Sequence, residues 1–395
     1  MEKTVVTHSS LATLRECPQK YYLKYVMGIR PTEKSESIRV GSLVHHALDL
    51  MAKNPEKPIE EIIVETKAFA GKEQERRIEA MRDATEAEKK DQIAQFITES
   101  ILIQEILTVY HWRWSLHEVK VVESEKAFES QIYNPDTNKP SRTFQIAGKI
   151  DRIVTMPSGD FALMETKTTR ESLDVNSDYW KRLPLDVQIS LYYLASQSLG
   201  YPVTSILYDV IRVPTIKPRE LTQTETAVLI DMGTYSTRLE QGKEPVLIAE
   251  EVQVAVVGDL NPKAGVFPER IVVNGHEAEI IPGKAGVAIR ETPELYGMRL
   301  RKLLVEKHEE FFARREIPRT DTDLSLARME LWVQTQILNE RMKRGCWERN
   351  DRACRSFFGY CPFWKICTSR LQEGEMPEGF EVVDNLHPEL KETEE

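Results

Sequence analysis

Residues 148–167 read GKIDRIVTMPSGDFALMETK, from Gly148 to Lys167. Apolar runs flank Pro157-Ser158-Gly159, a strong turn signal, so the segment predicts two strands joined by a tight hairpin. A hairpin centred on Ser158 sets Asp151 opposite Glu165 at cross-strand spacing. Side chains alternate along a strand, so Lys167 shares the face of Glu165 while Thr166 turns away. Two acids and an amine then meet at one point. A hard divalent cation takes oxygen ligands of this kind, usually one or two carboxylates with waters and phosphate oxygens. The ion polarises a phosphodiester and acidifies a bound water, and a neighbouring lysine orients the nucleophile or stabilises developing charge. The competing interpretation is an ordinary charged, solvated sheet face.

Moving outward, VKVVESEKAFESQIY (119–133) and TFQIAGKIDRIVTM (143–156) alternate as strands, and YPVTSILYDVIRV (201–213) supplies another. A helix runs from Asp186 to about Ser198, with Gly200 placed to end it. On the N-terminal side, Ser9 or Ser10 is a candidate cap for a short helix, Pro18 opens a second and Gly28 can close it. RVGSLVHHALDLMAK (39–53) is helical, and Ile59 to Tyr110 reads as two or more amphipathic helices. Beyond Thr292, ELYGMRLRKLLVEKHEEFFARR is helical, as is Leu324 to Lys343. The organisation expected is N-terminal helices over 1–57, a helical arm over 58–116, a sheet and helix over 117–215, an insertion of uncertain form over 216–290, C-terminal helices over 291–370 and a tail over 371–395.

The composition, 41% hydrophobic and 29% charged, is that of an ordinary globular chain. No run approaches the ~18 apolar residues of a membrane span, and the N-terminal residues lack secretory-signal zones, so a cytoplasmic protein without membrane partners is expected. The net charge of −10 argues against a nucleic-acid partner until it is located: residues 371–395 hold nine acids and one lysine, leaving −2 elsewhere. That tail reads as a solvated extension. Lys20, Lys24, Arg30, Lys149, Arg152 and Arg170 are candidate phosphate contacts, with Tyr21, Tyr22 and Tyr25 either stacking surfaces or core.

Four of the five cysteines, Cys346, Cys354, Cys361 and Cys367, fall within 22 residues. An odd count in a reducing compartment suits metal better than disulfides. Zinc ribbons place ligands in pairs two to four residues apart, and ACRSFFGYCPFWKIC has no such pair. Three close cysteines with a remote fourth suit an iron-sulfur cluster, with Phe357, Phe358, Tyr360, Phe363 and Trp364 as a shield.

Asp151, within GKIDRI, followed after a gap of 13 residues by Glu165-Thr166-Lys167, resembles the signature of the PD-(D/E)XK nucleases. Gly41-Ser-Leu-Val-His45 is similar to the G-x-x-x-H motif of the RecB-like members, and Gln188-Ile-Ser-Leu-Tyr192 to their Q-x-x-x-Y motif. SSLATLRECPQKYYLKY resembles the opening of AddB-type and CRISPR-adaptation nucleases. The resemblance implies an α/β restriction-endonuclease-like core, a mixed sheet flanked by helices, with a helical arm and an iron-sulfur loop. It makes His45, Asp151 and Glu165 ligands of Mg2+ or Mn2+, Thr166 a ligand through its backbone carbonyl and Lys167 the catalytic lysine; Gln188 and Tyr192, one helical turn apart on a single face, can address a phosphate or that lysine, or simply pack on the sheet. Adjacent His46 competes with His45. It also makes Cys17 the fourth ligand of a 4Fe-4S cluster with Cys354, Cys361 and Cys367, against the rival Cys346; the x6 spacing before Cys361 departs from the family's more usual x2.

The function implied is hydrolysis of DNA, chiefly by an exonuclease acting on single strands or duplex ends in recombination, repair, phage replication or CRISPR adaptation. The alternatives are a non-catalytic DNA-end-binding scaffold, against which the intact Asp151, Glu165 and Lys167 speak, and a subunit dependent on a helicase or recombination partner. The chain itself has no G-x-x-x-x-G-K-[ST] helicase loop.

Overall fold

The computed structural model describes residues 3–32, 35–81, 84–117, 119–240, 243–261, 264–356, 359–369 and 377–390. It begins with strand β1 (Thr4–Val6) and helices α1 (His8–Glu16) and α2 (Pro18–Tyr21), the latter continuing into a wider π turn over Tyr22–Val26. The cap of α1 is Thr7, not Ser9 or Ser10: Thr7 Oγ1 accepts from the Ser10 amide while Ser10 Oγ accepts from the Thr7 amide. A reciprocal box satisfies two otherwise orphaned donors, which neither serine achieves alone. Strand β2 (Ile29–Pro31) and helix α3 (Glu36–Lys53) follow, and the expected arm forms α4 (Ile59–Ala80) and α5 (Glu86–Trp114).

The sheet is built from β3 (Lys120–Tyr133), β4 (Pro140–Thr155), β5 (Phe161–Thr169) and, after α6 (Asp178–Arg182) and α7 (Val187–Ser198), β6 (Val203–Arg212). Strand β4 has β3 on one edge, while its other edge is shared: β1 pairs parallel with Phe144–Ile146, and β5 pairs antiparallel over Arg152↔Met164 to Thr155↔Phe161. This is the register expected from a turn centred on Ser158. Past the Arg152–Met164 pair β5 leaves β4, while its parallel pairing with β6, which spans Phe161 to Thr169, continues. Asp151 therefore stands at the fork between two diverging strands. Helices cover both faces: the C-terminal half of α5 buries Leu102, Ile106, Leu107 and Tyr110 against α3 and the outer strands, while α6 and α7 bury Trp180, Ile189 and Tyr192 on the other side.

Residues 216–290 form a small unit of α8 (Gln223–Met232) with short hairpins: β7 (Tyr235–Thr237) with β8 (Val246–Ala249), β9 (Val254–Val257) with β10 (Arg270–Val273) and β11 (His276–Glu277), and β12 (Ile280–Pro282) with β13 (Val287–Ile289). Its own core includes Leu229, Tyr235, Ile271 and Ile289. Helix α9 (Pro293–Glu306) then leads to α10 (His308–Phe311), β14 (Phe312–Glu316) and α11 (Asp321–Arg344). The helix expected to continue through Arg315 stops at Glu306. Residues Phe312–Glu316 instead pair with β6, from Phe312↔Ile211 to Glu316↔Leu207, because the edge of that buried strand requires partners and tertiary pairing outweighs local helical periodicity.

The C-terminal loop comprises β15 (Arg355–Ser356), β16 (Gly359–Tyr360) and α12 (Trp364–Thr368); Phe357 and Phe358 lie outside the described residues. The tail is not wholly solvated, since β17 (Phe380–Val382) pairs with β2, Phe380 packs on Phe363, and Thr7 Oγ1 donates to Glu389 at 2.6 Å. A few apolar anchors and charge-assisted hydrogen bonds, Thr7 to Glu389 and Arg30 to the Leu386 carbonyl at 2.9 Å, dock it despite its acidity. No helix among the described residues is long and apolar enough to cross a membrane.

Candidate metal centre

At the fork, the Thr166 amide donates to Asp151 Oδ2 at 2.9 Å, so a side chain replaces the ladder bond that the departing strand has lost. Helix α3 brings His45 beside it, with Nδ1 3.6 Å from Asp151 Oδ2. Gly41 makes that approach possible: a methyl group there would lie 3.2 Å from Thr168 Oγ1 on β5. Gly148 serves the other flank, because a Cβ would stand 2.7 Å from the Phe128 ring and 3.0 Å from that of Tyr192. His46 faces away from this centre, its ring stacked on Phe69.

A residue absent from the sequence-based set joins the group. Glu125 lies on β3 between the pairs Ser124↔Arg152 and Lys126↔Ile150, across from Asp151. Its φ of 51° is rare for a residue with a side chain. Ligand atoms of His45, Glu125 and Asp151 all lie within 4.8 Å of one another. Only a known register between β3 and β4 would have exposed Glu125, and the irregular connection over 134–139 conceals that register in the sequence.

Glu165 is buried beside them and forms a 2.6 Å ion pair with Lys167, whose Nζ also donates to Gln188 Oε1 at 3.0 Å. Tyr192, one helical turn from Gln188 on α7, is buried beside it. Burial pushes the Asp151 carboxyl up to about 6 and, together with the Asp151 charge, that of Glu165 up to about 7. Burial opposes the charge on Lys167, but Glu165 and Asp186 outweigh it and hold the ammonium firmly protonated. Burial lowers the basicity of His45, leaving a neutral imidazole suited to metal. Asp186, the cap of α7, and His8 belong to the same electrostatic neighbourhood and also escaped the sequence analysis.

Arg152 is not a phosphate contact. It is buried, donating to Thr166 Oγ1 and at 2.7 Å to Asp209 Oδ2, and Asp209 also accepts from Arg314 at 3.1 Å and from Tyr110. Thr166 does turn from the acidic face, as alternation requires, and this buried network fixes it from behind. Lys149 pairs with Glu125, Lys20 with Glu16 and Arg170 with Glu36. Tyr21 and Tyr25 are core residues, Tyr21 stacking on Trp347.

Cys17, Cys354, Cys361 and Cys367 line one hollow with Lys20, Asn350 and Phe363. Cys17 Sγ accepts from the Asn350 amide at 3.5 Å, and the Cys361 amide donates to the Cys354 carbonyl at 2.9 Å. Cys346 is exposed and lies against the end of α11 instead.

The PD-(D/E)XK nuclease superfamily model matches residues 5–368, and the chain belongs to that superfamily. Its nucleases use Mg2+ or Mn2+, consistent with the donor set at the fork. No curated protein matches. A solved structure titled "Crystal structure of SSO0001" is 18% identical over 33% of this chain and 56% of its own length, with a TM-score of 0.19, too loose a likeness to bear on function.

Proposed function

We propose that the chain is a metal-dependent deoxyribonuclease in which His45, Asp151, Glu165 and the Thr166 carbonyl, joined by Glu125, hold Mg2+ or Mn2+. The observation that carries this reading is the meeting of His45, Glu125 and Asp151 within 4.8 Å beside a Lys167 steered by Glu165 and Gln188. Such an ion, when bound, polarises the scissile phosphate and lowers the pKa of an attacking water. The Thr166 amide fixes the Asp151 carboxylate, so the ligand is oriented before substrate arrives. Lys167 keeps its charge and places it where the phosphate becomes more anionic, while Gln188, backed by Tyr192, limits the ammonium to one direction. The likeness of Gly41–His45 and Gln188–Tyr192 to the RecB-type motifs supports action on DNA ends or single strands as an exonuclease, alone or with a helicase or recombination partner.

The cysteine hollow supports a 4Fe-4S cluster with Cys17 as the fourth ligand. Cys17 meets the three C-terminal cysteines around that hollow, and their x6 and x5 spacings lack the close pair that a zinc ribbon uses.

The test is cleavage of end-labelled single- and double-stranded DNA with Mg2+ or Mn2+, comparing wild type with Lys167→Ala. Loss of about 10²–10³ in rate is expected for removing one preorganised charge-stabilising group. Equal cleavage by the two proteins would eliminate the proposed site.

A further inference from the structure

Helix α11 carries two apolar stripes, and among the described residues only one of them is packed against the rest of the chain. Leu324, Ala327, Leu331 and Leu338 are buried, the latter three in a core with Ile132 and Leu191. On the opposite side, Leu326, Met329, Val333 and Ile337 recur at helical spacing and remain 46%, 46%, 47% and 41% exposed. Four large apolar residues in a row on one helix face mark an interaction surface rather than scattered surface hydrophobes.

The charges along the helix indicate what fits there. The first half of α11 holds Asp321, Asp323, Arg328 and Glu330, a net −2; the second holds Glu340, Arg341, Lys343 and Arg344, a net +2. We infer that this face binds a second copy of the chain, the two α11 helices crossing antiparallel about a two-fold axis. That orientation lays each acidic half on the other copy's basic half, whereas a parallel pair opposes like charges. It also sets Leu326 against Ile337 and Met329 against Val333 of the second copy, so one patch is complementary to itself, as a two-fold interface requires. Covering the stripe and its polar rim buries on the order of 1,000 Å2 in total, at the lower end for specific association, so the dimer forms reversibly with concentration.

Sedimentation velocity of the full chain over a concentration series tests this. Wild type should move from 45.6 kDa towards twice that mass, while Val333→Glu and Met329→Lys remain at 45.6 kDa with unchanged melting temperatures, since neither side chain is buried in the monomer. Orientation is read in a Cys346→Ser background: mixing Leu326→Cys with Ile337→Cys should give an oxidised cross-link faster than either variant alone. A wild type that stays monomeric at every concentration, a Val333→Glu protein that dimerises like wild type, or fastest cross-linking of Leu326→Cys to itself overturns the inference.

Discussion

The Thr166 amide donates to the Asp151 carboxylate across 2.9 Å at the point where β5, still paired with β6, parts from β4. The bond repairs the parting of two strands and at the same time aims an acidic ligand. Stability and chemistry are thus tied to the same pair of residues.

Glu125 should act as a ligand without being indispensable. Glu125→Gln keeps the shape of the side chain and removes its charge, so Mn2+ affinity measured by calorimetry should fall about 10–100-fold, the range for residues supporting a metal site. Unchanged affinity would reduce Glu125 to the partner of Lys149.

Asp151 and Glu165, held up at about 6 and about 7, give a pH signature whose sign can be worked out. Both values exceed the ordinary carboxylate range of about 3.9–4.3, so in the metal-free protein the neutral forms favour folding. That contribution is complete below about pH 4 and disappears as pH rises through the two folded values. Metal requires the ionised forms, so its affinity rises over the same interval. The metal-induced increase in melting temperature should therefore grow from about pH 5 to pH 8, and Asp151→Asn should flatten it. A metal effect independent of pH would contradict this assignment.

Asp209 holds Arg152 and Arg314 together in the interior. Asp209→Ala leaves two buried guanidinium groups without their counter-charge, and urea unfolding should show a loss of about 3–5 kcal/mol. A cost below about 1 kcal/mol, typical of exposed pairs, would mean that water reaches these groups.

Cys361→Ala should abolish the brown colour of anaerobically purified protein and lower its thermal stability, because a cluster joining Cys17 to the C-terminal loop closes most of the chain into one loop. A colourless wild type, or a mutant as stable and as coloured as wild type, would count against the cluster.

Much of the site could be read from the sequence because it is local. The turn at Pro157-Ser158-Gly159 sets the register that brings Asp151 to the fork, and strand alternation separates Lys167 from Thr166. What escaped depends on distant pairing. Glu125 enters through the β3–β4 register, Asp209 and Arg314 through β6 and β14, and Asp186, already placed at a helix start, through the packing of α7 beside Lys167. Helical periodicity holds through Phe311 but misleads over 312–315, because Phe312 is buried where the edge of β6 also demands hydrogen bonds. Arg152, expected at the DNA surface, is buried because Asp209 lies on the strand beyond β5.

One divalent ion is expected between these strands, within reach of Lys167. Anomalous scattering from crystals soaked in Mn2+ addresses it directly. A single strong peak among His45, Asp151, Glu165 and the Thr166 carbonyl, adjoining Glu125, is predicted, and it should vanish in Asp151→Asn crystals. Fully occupied manganese elsewhere with none at the fork, or a peak indifferent to Asp151→Asn, would contradict the account.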